Sequence, residues 1–144
     1  EGGTVTWAPT NITYGHNNRS AQFRLPQNRY CIENRAADMT MNVYLALSMT
    51  MSAAVEGIKK KIHPGEPTDQ DLYDMSDSDF KKLGIKRLPK NLLMAIESLK
   101  NDKLTDEVLG PIMKKSLLAY KNDEWERYHQ AVTDWEVKEY LRLY

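Results

Sequence analysis

No residue between Asp38 and Glu56 carries a charge. Within that interval, from Met41 onward, apolar side chains are interrupted only by small polar ones such as Ser48, Thr50 and Ser52. A helix that is apolar almost all round is either buried in a core or sits in a membrane. The uncharged run is at the short limit for a span and is dotted with Ser, Thr and Asn, which favours the core. The sequence therefore predicts a long buried helix over about 41–61, with its methionines as packing material. Gly57 inside the pattern and His63-Pro64-Gly65-Glu66-Pro67 after it mark its end.

Short extended runs precede this helix. Thr4-Val5-Thr6-Trp7 reads as a strand broken by Ala8-Pro9, and Ile12-Thr13-Tyr14 as another leading into a turn at Gly15. Gln22-Phe23-Arg24-Leu25 ends at Pro26, and Tyr30 to Arg35 follows as the second arm of a hairpin. Side chains alternate along a strand, so Cys31, Glu33 and Arg35 share one face if this arm is extended. A carboxylate and a guanidinium two residues apart can address a metal ion and an anion side by side. Arg24 lies five positions after Arg19. Strict alternation would point the two to opposite faces, unless Arg19 belongs to the turn or the strand carries a bulge. The alternative reading is an ordinary hairpin with a solvated charged face, since surface Arg–Glu pairs are common and weak.

After the buried helix the chain reads as helical over about 69–132. Ser76 to Gly84 has acids at its start and Gly at its end, as a short helix requires. Leu88-Pro89-Lys90 opens another, with Leu92, Leu93, Ile96 and Leu99 on one stripe. Gly110-Pro111 separates a capped turn at Thr105 from a long helix running to about Val132. Thr133-Asp134-Trp135-Glu136 is a capping box for a tail helix over about 134–144. Its Trp135, Val137, Tyr140 and Leu141 give it more apolar surface than a free tail tolerates, so it is expected to dock. The N-cap of the buried helix is expected at Asp38 or Thr40.

Twenty basic residues balance twenty acidic ones, so the chain lacks the positive excess that nucleic-acid binding calls for. Nucleic-acid and membrane partners are accordingly not expected. The Lys59-Lys60-Lys61 cluster complements a helix C-terminus. A single cysteine, Cys31, excludes an internal disulfide framework and a multi-cysteine metal site. It fits a reducing, cytoplasmic compartment, and Cys31 itself is expected to be half-buried. His63 has no second ligand nearby and reads as a surface loop residue. Glu1-Gly2-Gly3 is neither an initiator Met nor a targeting segment, and the first strand has no partner before it. The chain is therefore expected to be the C-terminal piece of a larger protein.

Asn18-Arg19-Ser20, then Phe23-Arg24-Leu25-Pro26, then Ile32-Glu33-Asn34-Arg35 resemble the C-terminal active-site segment of the glutamine synthetase family. The resemblance continues in order through Asn42-Val43-Tyr44-Leu45, Glu56 to Glu66, Asp71-Leu72-Tyr73 and, more weakly, Thr133 to Glu136. It implies an α+β fold: short antiparallel strands and a hairpin packed on the long buried helix, followed by the helical C-terminal region. It also implies a fragment of a ligase that activates the glutamate side-chain carboxylate as an acyl-phosphate with ATP and amidates it with ammonia. The implied partners are ATP, Mg2+ or Mn2+, glutamate, ammonia or a small amine, and further copies in a ring-type homo-oligomer, with the tail against a neighbouring subunit. Position by position, Glu33 corresponds to a metal ligand. Arg35 corresponds to a residue facing glutamate and the transferred phosphoryl group. Arg19 corresponds to one at the γ-phosphate and acyl-phosphate, and Arg24 to one on the nucleotide phosphates. With Glu33 as the one evident metal ligand, residues 1–144 alone are expected to be inactive.

Three departures stand out. Cys31 occupies the position where most relatives place an arginine, and Arg29 lies two residues further upstream. The helix head reads Asp38 to Tyr44 in place of small residues and Asn-Pro-Tyr. Tyr14-Gly15-His16-Asn17-Asn18-Arg19 resembles a divergent branch that joins glutamate to methylamine or other amines, so the amine stays open. A non-catalytic relative kept for assembly, or a helical interaction domain docking through its tail, are the other classes this sequence admits.

Overall fold

A computed structural model describes residues 8–73 and 75–141. The strand expected at Thr4–Trp7 and the end of the tail beyond residue 141 lie outside them. The chain divides into two compact units, Glu1–Leu88 and Pro89–Tyr144.

The first unit is built on a small sheet of β1 (Asn11–His16), β2 (Ala21–Leu25), β3 (Glu33–Asn34) and β4 (Lys86–Arg87), in the order β3-β2-β1-β4. β2 and β3 form the expected antiparallel hairpin around Pro26, with Arg24 directly opposite Glu33. β3 is only two residues long, so the extended arm expected over Tyr30–Arg35 is mostly turn and loop. Cys31 is exposed, not half-buried.

β1 and β2 depart from the antiparallel expectation. They pair in parallel, with Asn11 beside Ala21 and His16 beside Leu25. Parallel neighbours ordinarily need a crossover of about a dozen residues or more; here four residues suffice. Asn17 takes a left-handed conformation at φ 56°, one that asparagine tolerates better than most residues. The chain then doubles back through Asn18-Arg19-Ser20 to begin β2 beside the start of β1. No local pattern announces this, because the partner that holds the connection is the loop at 68–72. The core gathers at the same place, with Ala21 and Leu72 buried alongside Asn11 and Ser20.

Helix α1 (Val43–Lys59) is capped by Asn42, whose side chain accepts from the backbone N–H groups of Tyr44 and Leu45. The cap is thus neither Asp38 nor Thr40; those two instead bond each other in a local turn, with the Thr40 N–H donating to Asp38 at 2.7 Å. None of the residues of α1 is buried, and Tyr44, Leu47, Met51 and Ile58 are open on its surface. The expected buried helix is corrected accordingly. An all-round apolar pattern records that a helix wants cover, and it does not say that the cover lies within the same 144 residues. Helix α2 (Asp77–Lys82) has Ser76 as N-cap, acids in its first turn and Gly84 at φ 67° after its end. It buries Phe80, over which the Arg87 guanidinium lies at 5.3 Å.

The second unit is helical. Helix α3 (Leu92–Asn101), capped by Asn91, packs against α4 (Lys103–His129). Gly110 breaks α4 with a left-handed φ of 68°, and Pro111 restarts it, as the Gly-Pro pair predicts. Two buried polar residues in α4 tie it to the α3–α4 junction. Thr105 donates to the carbonyls of Leu99 and Asp102, and Lys114 bonds the Asp102 carbonyl at 3.0 Å and the Asp106 carboxylate at 2.7 Å. Helix α5 (Asp134–Tyr140) begins with the predicted capping box between Thr133 and Glu136. The result is the mixed α and β class expected, with three short strands before α1, β4 between α2 and α3, and helices after it.

Candidate functional site

The connection between β1 and β2 is the structural centre of the site. The Asn18 amide donates to the carbonyls of Thr68, at 2.6 Å, and Gln70, at 2.9 Å. Its oxygen accepts from the Ser20 N–H at 2.8 Å and the Ser20 hydroxyl at 2.7 Å. Ser20 Oγ in turn accepts from the buried Leu72 N–H. Gly15 is required beside it: a Cβ there would lie 2.3 Å from the Thr68 carbonyl. Asp69 closes the arrangement, accepting from the His16 N–H at 2.6 Å and facing its ring at 3.2 Å. The His16 backbone bond, more than the ring, holds the Asp69 carboxyl below the usual range.

Arg19 is thereby fixed between two anchored neighbours. It belongs to the connection and not to β2, which resolves the face problem that strict alternation posed. Arg19, Arg24, Arg35 and Glu33 all line one open cleft of about 460 Å³, together with Arg29. Arg29 is the member that the sequence left unassigned. Cys31 does not line it.

Glu33 is shared. Arg24 Nη1 donates to its Oε2 at 2.9 Å from the facing strand, and Arg29 Nη2 bonds its Oε1 from the turn. The bond from Arg24 is the main reason its carboxyl titrates below the ordinary value, with Arg29 adding to it against partial desolvation. Arg24 also bonds Asn17 Oδ1 through its other terminal nitrogen, while its Nε is buried without a partner. Arg35 donates its Nε–H to the Arg19 carbonyl at 3.0 Å. Its backbone N–H meets the Gln22 carbonyl at 2.8 Å, which locks the end of the hairpin.

Four guanidiniums around one carboxylate make a basin of positive potential on a chain of zero net charge. Such forks match phosphate and carboxylate oxygens in pairs and keep their charge at any physiological pH. The fit to a polyanion is direct. The fit to a divalent cation is partial: among the described residues Glu33 is the only carboxylate lining the cleft, and both its oxygens are engaged by arginine. No group of three His, Cys, Asp or Glu able to hold a metal occurs among the described residues. No described helix is long and apolar enough to cross a membrane.

Known proteins are similar to this chain in sequence and in shape. The model of the glutamine synthetase catalytic domain matches residues 4–140. Glutamine synthetase of Methanococcus maripaludis is 37% identical over 139 residues, which is 94% of this chain and 31% of that protein. Glutamate–methylamine ligase of Methyloversatilis universalis is 39% identical over 140 residues, 97% of this chain and 31% of that one. The solved structure of apo GmaS without ligand is similar with a TM-score of 0.78 at 30% identity, covering 93% of this chain and 30% of that one. The chain thus spans less than a third of the length of these relatives. With a family model running almost end to end over the arginine cleft and its scaffold, this chain belongs to the glutamine synthetase catalytic-domain family.

Proposed function

We propose that this chain supplies the arginine wall of an ATP-dependent ligase that amidates the side-chain carboxylate of glutamate. The observation that carries the reading is the convergence of Arg19, Arg24 and Arg35 with Glu33 on one cleft. In the reaction a glutamate carboxylate oxygen attacks the γ-phosphorus, and the bond to the β–γ bridging oxygen breaks with departure of ADP. An amine nitrogen then attacks the acyl carbon, inorganic phosphate leaves, and the amine gives up a proton. Phosphoryl transfer asks the protein mostly for positioning and for positive charge around the migrating group. Arg24, held by Glu33 and Asn17, binds the nucleotide phosphates. Arg19 faces the γ-phosphate and then the acyl-phosphate, and Arg35 spans the transferred group and glutamate. A magnesium or manganese ion would neutralise phosphate charge; Glu33 offers it one ligand, and the rest come from outside these 144 residues. For that reason the 144 residues alone are expected to be inactive.

Ammonia is the amine of the first reading and methylamine of the second, which the 39% identity to a glutamate–methylamine ligase supports. The complete encoded polypeptide, given ATP and glutamate with either amine, tests both. Formation of glutamine or of γ-glutamylmethylamide with stoichiometric phosphate is the expected result. Phosphate release with neither product overturns the amide-forming step, and no ATP-dependent turnover leaves a non-catalytic relative. We place the protein in the cytoplasm, in keeping with its single unpaired cysteine. We also infer a homo-oligomer in which the apolar face of α5 meets another subunit.

A further inference from the structure

The two arginines on Glu33 are held very differently. Arg24 stands on β2 directly opposite Glu33, its side chain is 15% exposed, and its second terminal nitrogen is bonded to Asn17. Arg29 sits on the turn before β3 with its side chain 60% exposed, and its neighbours are Glu33 and the exposed Cys31. Each takes one oxygen of the carboxylate, Arg24 on Oε2 and Arg29 on Oε1. An exposed ion pair on a turn is weakly held and exchanges readily, whereas one set by strand register does not. Any new anion entering the cleft meets Arg29 at its rim, and a phosphate offers that guanidinium more charge and more acceptor oxygens than Oε1 does.

We propose that Arg29 is a displaceable cap on Glu33. It covers Oε1 while the cleft is empty of anion. When a polyphosphate enters, the guanidinium transfers to it, and Oε1 becomes available to a cation. The proposal rests on the polyphosphate reading of the cleft given above. It makes anion and cation binding cooperative through one side chain, because the anion removes the group that competes with the cation. No bond is made or broken in this step, and every charge stays on its own group.

Calorimetry on the complete encoded polypeptide tests it with two probes used separately: ATP in the presence of a chelator, and Mn2+ without nucleotide. Arg29→Ala should weaken ATP binding by about tenfold, as expected for loss of a charged hydrogen bond. The same variant should bind Mn2+ several-fold more tightly than the unaltered protein, because Oε1 is uncovered. Opposite movement of the two affinities is the signature, since a structural defect at the turn would weaken both. Arg29→Lys should lie between, keeping the charge without the fork. ATP affinity within about twofold of normal in Arg29→Ala, or weaker Mn2+ binding, overturns the cap. Should that variant fail to fold, Arg29→Gln is read by the same two criteria. Absence of ATP binding in the unaltered protein overturns the polyphosphate reading itself, whereas ATP binding indifferent to Arg29 overturns this proposal alone.

Discussion

Arg35 holds the backbone of Arg19: its Nε–H donates to the Arg19 carbonyl at 3.0 Å, joining the end of the hairpin to the connection across sixteen residues. The two arginines are therefore coupled, and their variants should differ in kind. In the complete polypeptide Arg19→Lys should lower kcat by about a hundredfold and raise the KM for ATP much less, because lysine keeps the charge and loses the two-pronged fork. Arg35→Lys should lower kcat and also raise the KM for glutamate. Steady-state kinetics with each substrate varied separates the two; near-normal kcat in Arg19→Lys would refute the assigned role.

Asn18 is expected to be a stability residue, not a ligand residue. Asn18→Ala removes the donors to the Thr68 and Gln70 carbonyls and the acceptor for Ser20. A loss of about 2–3 kcal/mol follows from unmet, partly buried polar groups. Asn18→Asp keeps the acceptor but sets a negative charge against two carbonyls, and should be no better. Denaturant midpoints of the three proteins check both statements.

Gly15→Ala should be destabilising for a steric reason alone. The added methyl would lie 2.3 Å from the Thr68 carbonyl and 2.8 Å from the Asn18 Cβ, both fixed parts of the scaffold. Overpacking of this kind costs about 1–3 kcal/mol. A melting temperature equal to that of the unaltered protein would show that the 68–72 loop can retreat.

Acid should weaken the hairpin through Glu33. The carboxyl titrates below its ordinary 4.5 in the folded chain, chiefly because Arg24 bonds it. A group with a depressed folded value lends its stability fully above the unfolded value, and loses it as pH falls through the folded one. Glu33→Gln should therefore lose stability at neutral pH and differ least from the unaltered chain once the pH has fallen below the depressed folded value of Glu33. Parallel acid titrations of the two proteins would expose an unchanged gap, which is the opposite outcome.

The tail makes a separate case. Trp135, Val137 and Tyr140 are open on α5 and Leu141 just after it, and deletion of all residues after Val132 should shift the complete polypeptide to smaller species on sizing. An unchanged elution volume would mean that the tail serves its own subunit.

What could be read from the sequence was whatever is local. The Ser76, Thr133 and Gly110 signals each act within a turn of their own helix, and all three stand where their chemistry puts them. Glu33 and Arg35 were expected together from strand alternation, and Arg24 was brought to them by the family resemblance; across the hairpin Arg24 stands opposite Glu33. The parallel pairing of β1 and β2 was not legible, since it depends on Asn18 finding carbonyls fifty residues away. Asn18 and Ser20 stood in plain view beside Arg19, yet nothing in the run Asn-Arg-Ser says that the outer two residues build and the middle one is presented. Arg29 was left unassigned because the family pattern has its arginine where Cys31 stands, and strand alternation does not govern a turn. The burial of α1 was misjudged because apolar periodicity describes a helix and not its neighbours.

The four-residue link between β1 and β2 spends its slack on turning. The register shift sets Asn11–His16 beside Ala21–Leu25, so the level of Asn11 is regained over four residues of β2, about 13 Å. Five backbone steps reach at most about 18 Å and four reach only about 14 Å, which leaves nothing for the turn from Asn17 to Ser20. A one-residue deletion anywhere in 17–20 would have to be made up by drawing β2 forward. That slip would turn Arg24 to the far side of the sheet and part it from Glu33. The segment's length is thus as fixed as its letters: substitutions can be tried one at a time, but a shorter version of this loop is not an available neighbour in sequence space.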